Sequence, residues 1–565
     1  MTKKWQIYET TQNKQEKIEE LKQKYNINQL LATILVNRGI AEQEELKIFL
    51  NPTRKDFHNP FLMPDMEKAV DRIIKAIEKK EKIIIYGDYD ADGITSITVL
   101  KSFFKDLGID VEYYIPNRLS EGYGLNKTAV EEIANNRYNL MITVDCGITA
   151  IEEVELAKIK NIDTIITDHH EVADELPKAI AVIDAKRKDS IYPCRDLAGV
   201  GVVFKLIQAL AIKLGLKEES YLKYLDIVCV GTISDIVPLK DENRVIAKLG
   251  LLLINQTKNI GLKSILLSAG YKNIDSMAIS FGVAPRINAC GRMGHAEKAL
   301  ELLLCKNIND ANRLTNELNE FNKIRQETEK SIFEEAVLKI ENENLNNKNT
   351  IVVAGENWHH GVIGIVASKI TEMYFKPSIL LCYEDNIAKG SGRSITGFDL
   401  HDALMKCADI IEKFGGHSMA IGITLKRGNV QKFYDKIEKI ASDMKVNEII
   451  PVIQIDSKIS LNNIDKDMVA SLKQLEPFGE GNKTPIFAIR NLKIDSIRAL
   501  SEGKHLKLTL RENNTMINAI GFNMGNLVQE YKIGDKIDVA GVLEINTFNG
   551  VDSIQINLKD IMKAI

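Results

Sequence analysis

Two adjacent histidines, His169 and His170, follow Asp168 at the end of the apolar run Asp163-Thr-Ile-Ile-Thr167. Upstream, Lys82-Ile-Ile-Ile-Tyr86 leads into Gly87-Asp88-Tyr89-Asp90-Ala91-Asp92-Gly93, and Leu140-Met-Ile-Thr-Val144 leads into Asp145. Three strand-like segments thus deliver carboxylates or imidazoles at their carboxyl ends, the edge where open parallel sheets build sites. Carboxylates crowded into one crevice repel unless cations neutralise them. The simplest chemistry for this set is a site for divalent metals, two of them. An aspartate-rich loop or a His-His pair alone reads as a solvated turn. Both at strand ends, with Asp145 between them and Asp235 further on, read as metal ligation.

The elements that must position these groups follow from periodicity. From 82 to about 185, short β-rich runs alternate with helical patterns at Ile94–Leu107, Lys127–Asn135 and Ala150–Lys160, the mark of a parallel sheet with crossover helices. Residues 1 to 75 are expected to be helical. The segment Leu30–Asn37 has a glycine cap at Gly39, and residues 66–80 read as an amphipathic helix. Residues 197–305 read as mostly helical, interrupted by Ile227–Asp235. Residues 308–341 form a polar helix with a thin apolar stripe, which suits a bridge between domains. A second β-rich α/β unit starts at Thr350. Period-2 stretches such as His505–Leu510 and Lys536–Leu543 predict a small barrel at the end. The expected segments are 1–75, a helical segment packing on the core; 76–305, a first α/β unit; 306–348, a connecting helix; 349–448, a second α/β unit; and 449–565, a barrel.

Composition narrows the class. In 565 residues, 45% are hydrophobic and 27% charged, ordinary for a globular protein. Seven cysteines form no CxxC pair, which fits a reducing cytoplasm and argues against disulfides and zinc ribbons. No apolar run reaches membrane-spanning length, and the first residues show no secretory signal, so a membrane role is not expected. The net charge of −4 does not advertise a nucleic-acid binder, but a local groove can be basic on an acidic protein.

The acidic loop, Asp145, His169, His170 and Asp235 together resemble the DHH phosphoesterase superfamily. Longer strings resemble its RecJ family of single-strand DNA exonucleases: Tyr86–Gly93, Ile115–Gly124, Val144–Gly147, Ser234–Leu239, Ala284–Met293 and Trp358–Lys369. Gly415-Gly-His-Ser-Met-Ala-Ile-Gly422 is similar to the signature of the associated DHHA1 domain, and Pro477–Asn482 opens the part similar to the family's OB-like domain. The resemblance covers nearly the whole chain. It implies an α/β fold: a parallel-sheet DHH domain, a long connecting helix, a second α/β DHHA1 domain and a C-terminal OB-like β-barrel.

The implied activity is metal-dependent 5′→3′ hydrolysis of single-stranded DNA to 5′-mononucleotides, in recombination and repair. A phosphodiester's charge repels hydroxide. Two cations roughly 4 Å apart lower the pKa of a shared water and stabilise attacking and leaving oxygens. The resemblance implies Asp145 as the ligand shared by both ions, with Asp88 and Asp90 on one and Asp92, His169 and Asp235 on the other. One imidazole among oxygens suits Mn²⁺ or Mg²⁺. His170 is expected with Asp145 at the reacting centre, facing phosphate rather than ligating, and Asp168 is expected to orient an imidazole. Arg118, Arg286, Arg292 and Arg393 sit in family-like motifs, and arginine forks suit phosphate oxygens. An end-phosphate pocket is expected from Arg118, Arg286, Ser391 and Arg393, with His417 lining the substrate path. Phe478, Phe487 and Phe548 either stack bases or fill the barrel core. By the same resemblance, single-strand-binding protein and a RecQ-type helicase are expected partners of a monomer. Two alternatives are a DHH-type hydrolase of oligoribonucleotides or cyclic dinucleotides, and an inactive DNA-clamping scaffold.

Overall fold

The N-terminal segment is not all helix. A strand, β1 (Lys4–Ile7), precedes α1 (Gln12–Tyr25), α2 (Gln29–Asn37) and α3 (Gln43–Leu50). The Asn28 side chain caps α2 by accepting from the Leu31 N–H at 2.8 Å, and Gly39 follows the helix at φ +78°. This computed structural model describes residues 3–9, 11–271, 273–548 and 551–564; the side chain of Phe548 lies outside what is described.

After α4 (Met66–Glu78), strands and helices alternate: β2 (Ile83–Gly87), α5 (Ala91–Asp106), β3 (Glu112–Tyr114), α6 (Lys127–Asn135), β4 (Leu140–Val144), α7 (Ile151–Ile159), β5 (Asp163–Thr167) and β6 (Ala181–Ile183). The strands form one parallel sheet in the order β3-β2-β4-β5-β6. β2 and β4 are buried at every residue, which is why they read as continuous apolar runs rather than alternating ones. Register decides the site. Gly87 pairs with Val144, Val144 with Thr167 and Thr167 with Ile183. Asp88, Asp145, Asp168 and Asp184 therefore leave the sheet side by side.

Helices follow: α8 (Gly199–Lys213), α9 (Glu219–Leu222), α10 (Leu225–Ser234), α11 (Asp241–Ile254), α12 (Ile260–Ser268), α13 (Ala284–Arg292) and α14 (Ala296–Leu304). The run Ile227–Asp235, expected as an interruption, is α10. It is buried from Leu225 to Ile233 and packs on α5 and α8. An apolar run with no polar face suits a buried helix as well as a strand. A π-helical turn, Ala278–Val283, leads into α13. The polar segment is one 35-residue helix, α15 (Ile308–Asn342). It packs on α12, α13 and α14 along part of its length and on a second sheet's elements further along.

That second unit contains β7 (Ile351–Glu356), α16 (His360–Tyr374), β8 (Ser378–Glu384), β9 (Ile387–Arg393), α17 (Leu400–Met405), β10 (Lys413–His417), β11 (Ala420–Lys426) and α18 (Val430–Asp443). Its sheet runs β10-β11-β9-β8-β7, with β7 and β8 parallel and the other pairs antiparallel.

The remainder comprises β12 (Val452–Ile455), β13 (Ser457–Lys458), α19 (Lys466–Ser471), β14 (Phe487–Leu500), β15 (His505–Glu512), β16 (Thr515–Gly521), β17 (Lys536–Phe548) and β18 (Val551–Lys563). The order β14-β15-β16-β18-β17, with β14 also pairing β17, closes a five-stranded barrel. Phe487 is buried in its core and Phe478 packs against that core, so both fill the barrel. The N-terminal helices share this core: Leu21, Leu31, Ile34 and Leu46 belong to the same cluster as Leu475, Leu492, Leu508 and Ile537. β1 pairs in parallel with β12. Residues 1–56 and 238–248 accordingly form one compact unit with 450–565, and residues 57–237 and 249–449 form the other. The expected boundary at 75 differs from this, because the first helices group with the barrel and not with the parallel sheet. Arg244, 1% exposed, pins the first unit: its guanidinium donates to the carbonyls of Phe49 (2.6 Å), Leu475 (3.1 Å) and Glu476 (3.0 Å). No helix among the described residues is long and apolar enough to cross a membrane.

Candidate metal centre

The three parallel strands and α10 bring the acidic and imidazole groups together. Among the described residues, three donor sets lie with their atoms within 4.8 Å of one another: Asp88, Asp90 and Asp145; Asp92, His169 and Asp235; and Asp145, His169 and His170. Asp145 belongs to the first and third sets and His169 to the second and third, so the third set links the other two.

Each side chain is aimed by its neighbours. Asp90 caps α5: its Oδ1 accepts from the N–H groups of Asp92 (2.9 Å) and Gly93 (3.1 Å). Asp92 is fixed by the start of α8, taking the Gly199 N–H on Oδ2 at 2.7 Å and the Val200 N–H on Oδ1 at 2.8 Å. Asp145 sits in the left-handed region at φ +60°, which turns its carboxyl back over the sheet edge. α8 can approach that carboxyl only because residue 199 is glycine: a Cβ there would lie 2.6 Å from Asp145 Oδ1. Asp235 is the C-cap of α10, and that helix delivers it to the same place.

His169 Nε2 faces Asp145 Oδ1 at 3.1 Å, Asp235 Oδ2 at 3.7 Å and Asp92 Oδ2 at 3.8 Å. Yet the buried atoms His169 Nε2, Asp145 Oδ1 and Asp88 Oδ1 have no hydrogen-bond partner. The His169 ring also bonds the Leu197 backbone, and since Nε2 is unpartnered, that bond falls to Nδ1. The Nε2 lone pair therefore points at a carboxylate oxygen with nothing between them. Buried polar atoms are seldom left so, and cations are the partner that satisfies lone pairs converging from every side.

The electrostatics agree. Burial first, then the neighbouring carboxylates, hold Asp88 and Asp145 well above the usual carboxylate range. The same causes push Asp92 up to about 7 and Asp235 up to about 9. Burial, then the charge on His170, pushes His169 down to about 3, which leaves a neutral ring suited to ligation. Carboxyls this unwilling to ionise are the ones a pair of cations stabilises as carboxylates.

Asp168 and His170 form a separate couple. Asp168 Oδ2 accepts from the Ile148 N–H at 2.9 Å, and its Oδ1 accepts from the His169 N–H at 2.7 Å and from His170 Nδ1–H at 2.6 Å. The imidazole that Asp168 orients is that of His170. Burial opposes charge on His170, but the Asp168 contact outweighs it and raises this histidine to about 9. The Tyr123 hydroxyl lies 3.1 Å from His170 Nε2.

The expected phosphate contacts divide. Arg292 is surrounded by like charge. Burial, then Arg118, Arg325 and Arg393, lowers it to about 9, and Asp90 is its nearby counter-charge. Arg393 donates to Ser391 Oγ at 3.0 Å on β9, beside Gly364 of α16. His417, exposed in the turn of the β10–β11 hairpin, pairs across it with Ala420, which pairs in turn with Arg393. Arg286 is not in this group. Its Nε donates to Asn319 Oδ1 at 2.7 Å and its Nη1 to the Gly282 carbonyl at 2.6 Å, so a helix contact occupies the fork expected to hold phosphate. Position 286 faces α15, and position 292, almost two turns on, donates to the Gly361 carbonyl at 2.9 Å and feels the charge of Asp90.

Sequence reasoning missed four residues. Asn288 caps the metal loop by accepting from the Ala91 N–H at 2.8 Å. Arg325, hidden in the polar face of α15, joins the arginine group. Asp184 at the end of β6 is fully buried, takes the Lys186 N–H on Oδ1 and leaves Oδ2 without a partner. Tyr89 is the fourth. Only Asn288 and Tyr89 carried a signal, as members of motifs already singled out.

A parallel sheet whose carboxyl edge gathers two carboxylate–imidazole sets, followed by a second α/β sheet and a closed barrel, defines a DHH-type phosphoesterase. The DHH family, N-terminal domain, matches residues 82–232, the DHHA1 domain residues 347–443 and the RecJ OB domain residues 455–560. The chain belongs to the RecJ family of single-stranded-DNA-specific exonucleases. It is 40% identical over 563 residues to the single-stranded-DNA-specific exonuclease RecJ of Bacillus subtilis (strain 168), covering 99% of this chain and 70% of that one. It is 32% identical to the enzyme of the same name from Haemophilus influenzae, over 90% of this chain and 92% of that one. The crystal structure of RecJ from Thermus thermophilus in complex with Mn²⁺ superposes with a TM-score of 0.86 at 28% identity, covering 100% of this chain and 80% of that one.

Proposed function

We propose that this chain is a metal-dependent exonuclease that degrades single-stranded DNA from the 5′ end and releases 5′-mononucleotides, in recombination and repair. The observation that carries it is the converging, partnerless set of buried atoms on Asp88, Asp145 and His169. Asp88, Asp90 and Asp145 would hold one ion and Asp92, His169 and Asp235 the other, with Asp145 placed to serve both. Mn²⁺ or Mg²⁺ held there would supply Lewis-acid activation of water and neutralise charge on the phosphodiester. The protein's own groups do the rest. His170, kept charged by Asp168, donates a hydrogen bond to a phosphate oxygen beside the ligands. Arg118, Arg292 and Arg393 grip flanking phosphates, with Ser391 and His417 along the same path. The RecJ OB domain match supports a barrel that binds the strand. Single-strand-binding protein, a RecQ-type helicase and a cytoplasmic location belong to the same reading.

Digestion of oligonucleotides labelled at the 5′ or the 3′ end tests it. With Mn²⁺, the 5′ label is expected to appear first as a mononucleotide while the 3′-labelled strand shortens gradually. Chelation is expected to stop both. Asp145→Ala is expected to fold and to lose nearly all activity; robust cleavage by the folded variant would overturn the assignment.

A further inference from the structure

We propose that Tyr89 is a positioning residue: the face of its ring holds the Arg118 guanidinium over the metal loop, ready for a DNA phosphate. This rests on the reading of Arg118 as a phosphate-binding residue. The Arg118 guanidinium carbon lies 5.1 Å from the Tyr89 ring centroid. Arg118 is half-buried on the loop between β3 and α6, and its guanidinium has no hydrogen-bond or ion-pair partner among the described residues. Like charge surrounds it, since Arg292 and Arg393 are both perturbed by its proximity. A cation repelled by its neighbours, in no ion pair and with only the Asp88 carboxyl near enough to attract it, is held better by a further attraction. The ring's negative face supplies one, and its strength grows as water is excluded.

The ring itself cannot wander. Tyr89 is 7% exposed and stands between Asp88 and Asp90. Its carbonyl lies against Gly291 of α13, where a Cβ would overlap it. The residue between two proposed metal ligands thus ties the order of that loop to the grip on substrate. Asp88 and Asp90 join Asp145 in one donor set, and Tyr89 between them presents its ring face to Arg118.

A double-mutant cycle in the full-length, Mn²⁺-loaded enzyme tests the coupling, with KM and kcat measured on 5′-phosphorylated single-stranded DNA. Arg118→Ala is expected to raise KM. Tyr89→Leu is expected to raise KM about five-fold with kcat little changed, and to add nothing in the Arg118→Ala background. Tyr89→Phe, which keeps the ring, is expected to behave like wild type. Additive effects of Tyr89→Leu and Arg118→Ala would overturn the inference while leaving the phosphate reading intact. So would a Tyr89→Phe enzyme as impaired as Tyr89→Leu. An unchanged KM in Arg118→Ala would instead remove the phosphate reading, and this inference with it. Should Tyr89→Leu fail to fold, Tyr89→Met carries the same comparison.

Discussion

The two histidines after β5 share a backbone and divide the labour. His169 is starved of protons by burial and offers a bare Nε2 to the carboxylates; His170 is held charged by the 2.6 Å contact to Asp168. Asp168 has both oxygens occupied, so it is spent on orientation. Asp168→Asn keeps the shape but removes the charge that holds His170. We expect kcat to fall about 10–100-fold, the range seen when a supporting partner of an active-site group is lost, with little change in Mn²⁺ affinity by calorimetry. A comparable loss of metal binding would place His170 among the ligands instead. At this scale the sequence was a good guide to residue type and a poor one to direction. Arg286 and Arg292 look equivalent in the same motif, yet the helix turns one toward Asn319 and the other toward the Gly361 carbonyl and the cluster of Arg118, Arg325 and Arg393.

The sheet supplies what no residue can: register. β2, β4 and β5 end level with one another, and Asp88 and Asp145, the residues after β2 and β4, repel each other at that edge. Such strand ends are at odds until ions arrive, so metal is expected to stabilise this unit. Thermal unfolding should rise with Mn²⁺ and fall back with chelator, by about 2.7 kcal/mol at one hundred times the dissociation constant. Asp145→Asn should lose that gain while unfolding no earlier than wild type in chelator. Equal metal stabilisation in both would show that the ions bind elsewhere. The long strands and the polar helix were legible because their periods persist over many residues. β3 and β6, three residues each, were not, since so short a segment carries no period. α10 was misread because burial on all sides erases the polar face that marks a helix. The partnership of β1 with β12 was invisible because it is set by residues more than 440 positions apart.

The whole molecule is threaded in an unusual order. One compact unit takes residues 1–56, a short segment at 238–248 and residues 450–565, and the other takes the rest. Arg244 lies in that short segment and satisfies three backbone carbonyls. Arg244→Met should leave them unpaired, at about 1–3 kcal/mol each, and lower the melting temperature of this unit, read by barrel-specific hydrogen exchange, without changing Mn²⁺ affinity at the metal centre. Loss of metal binding at unchanged exchange rates would refute that division. The threading also has a history. α2, with Leu31, Ile34 and Leu35 fully buried in the finished core, leaves the ribosome more than 400 residues ahead of the barrel strands that cover it. At about 10 residues per second the greasy face waits roughly 40 s for its cover, so a segment made long before its partners is among the last to become native and is the natural client of a chaperone.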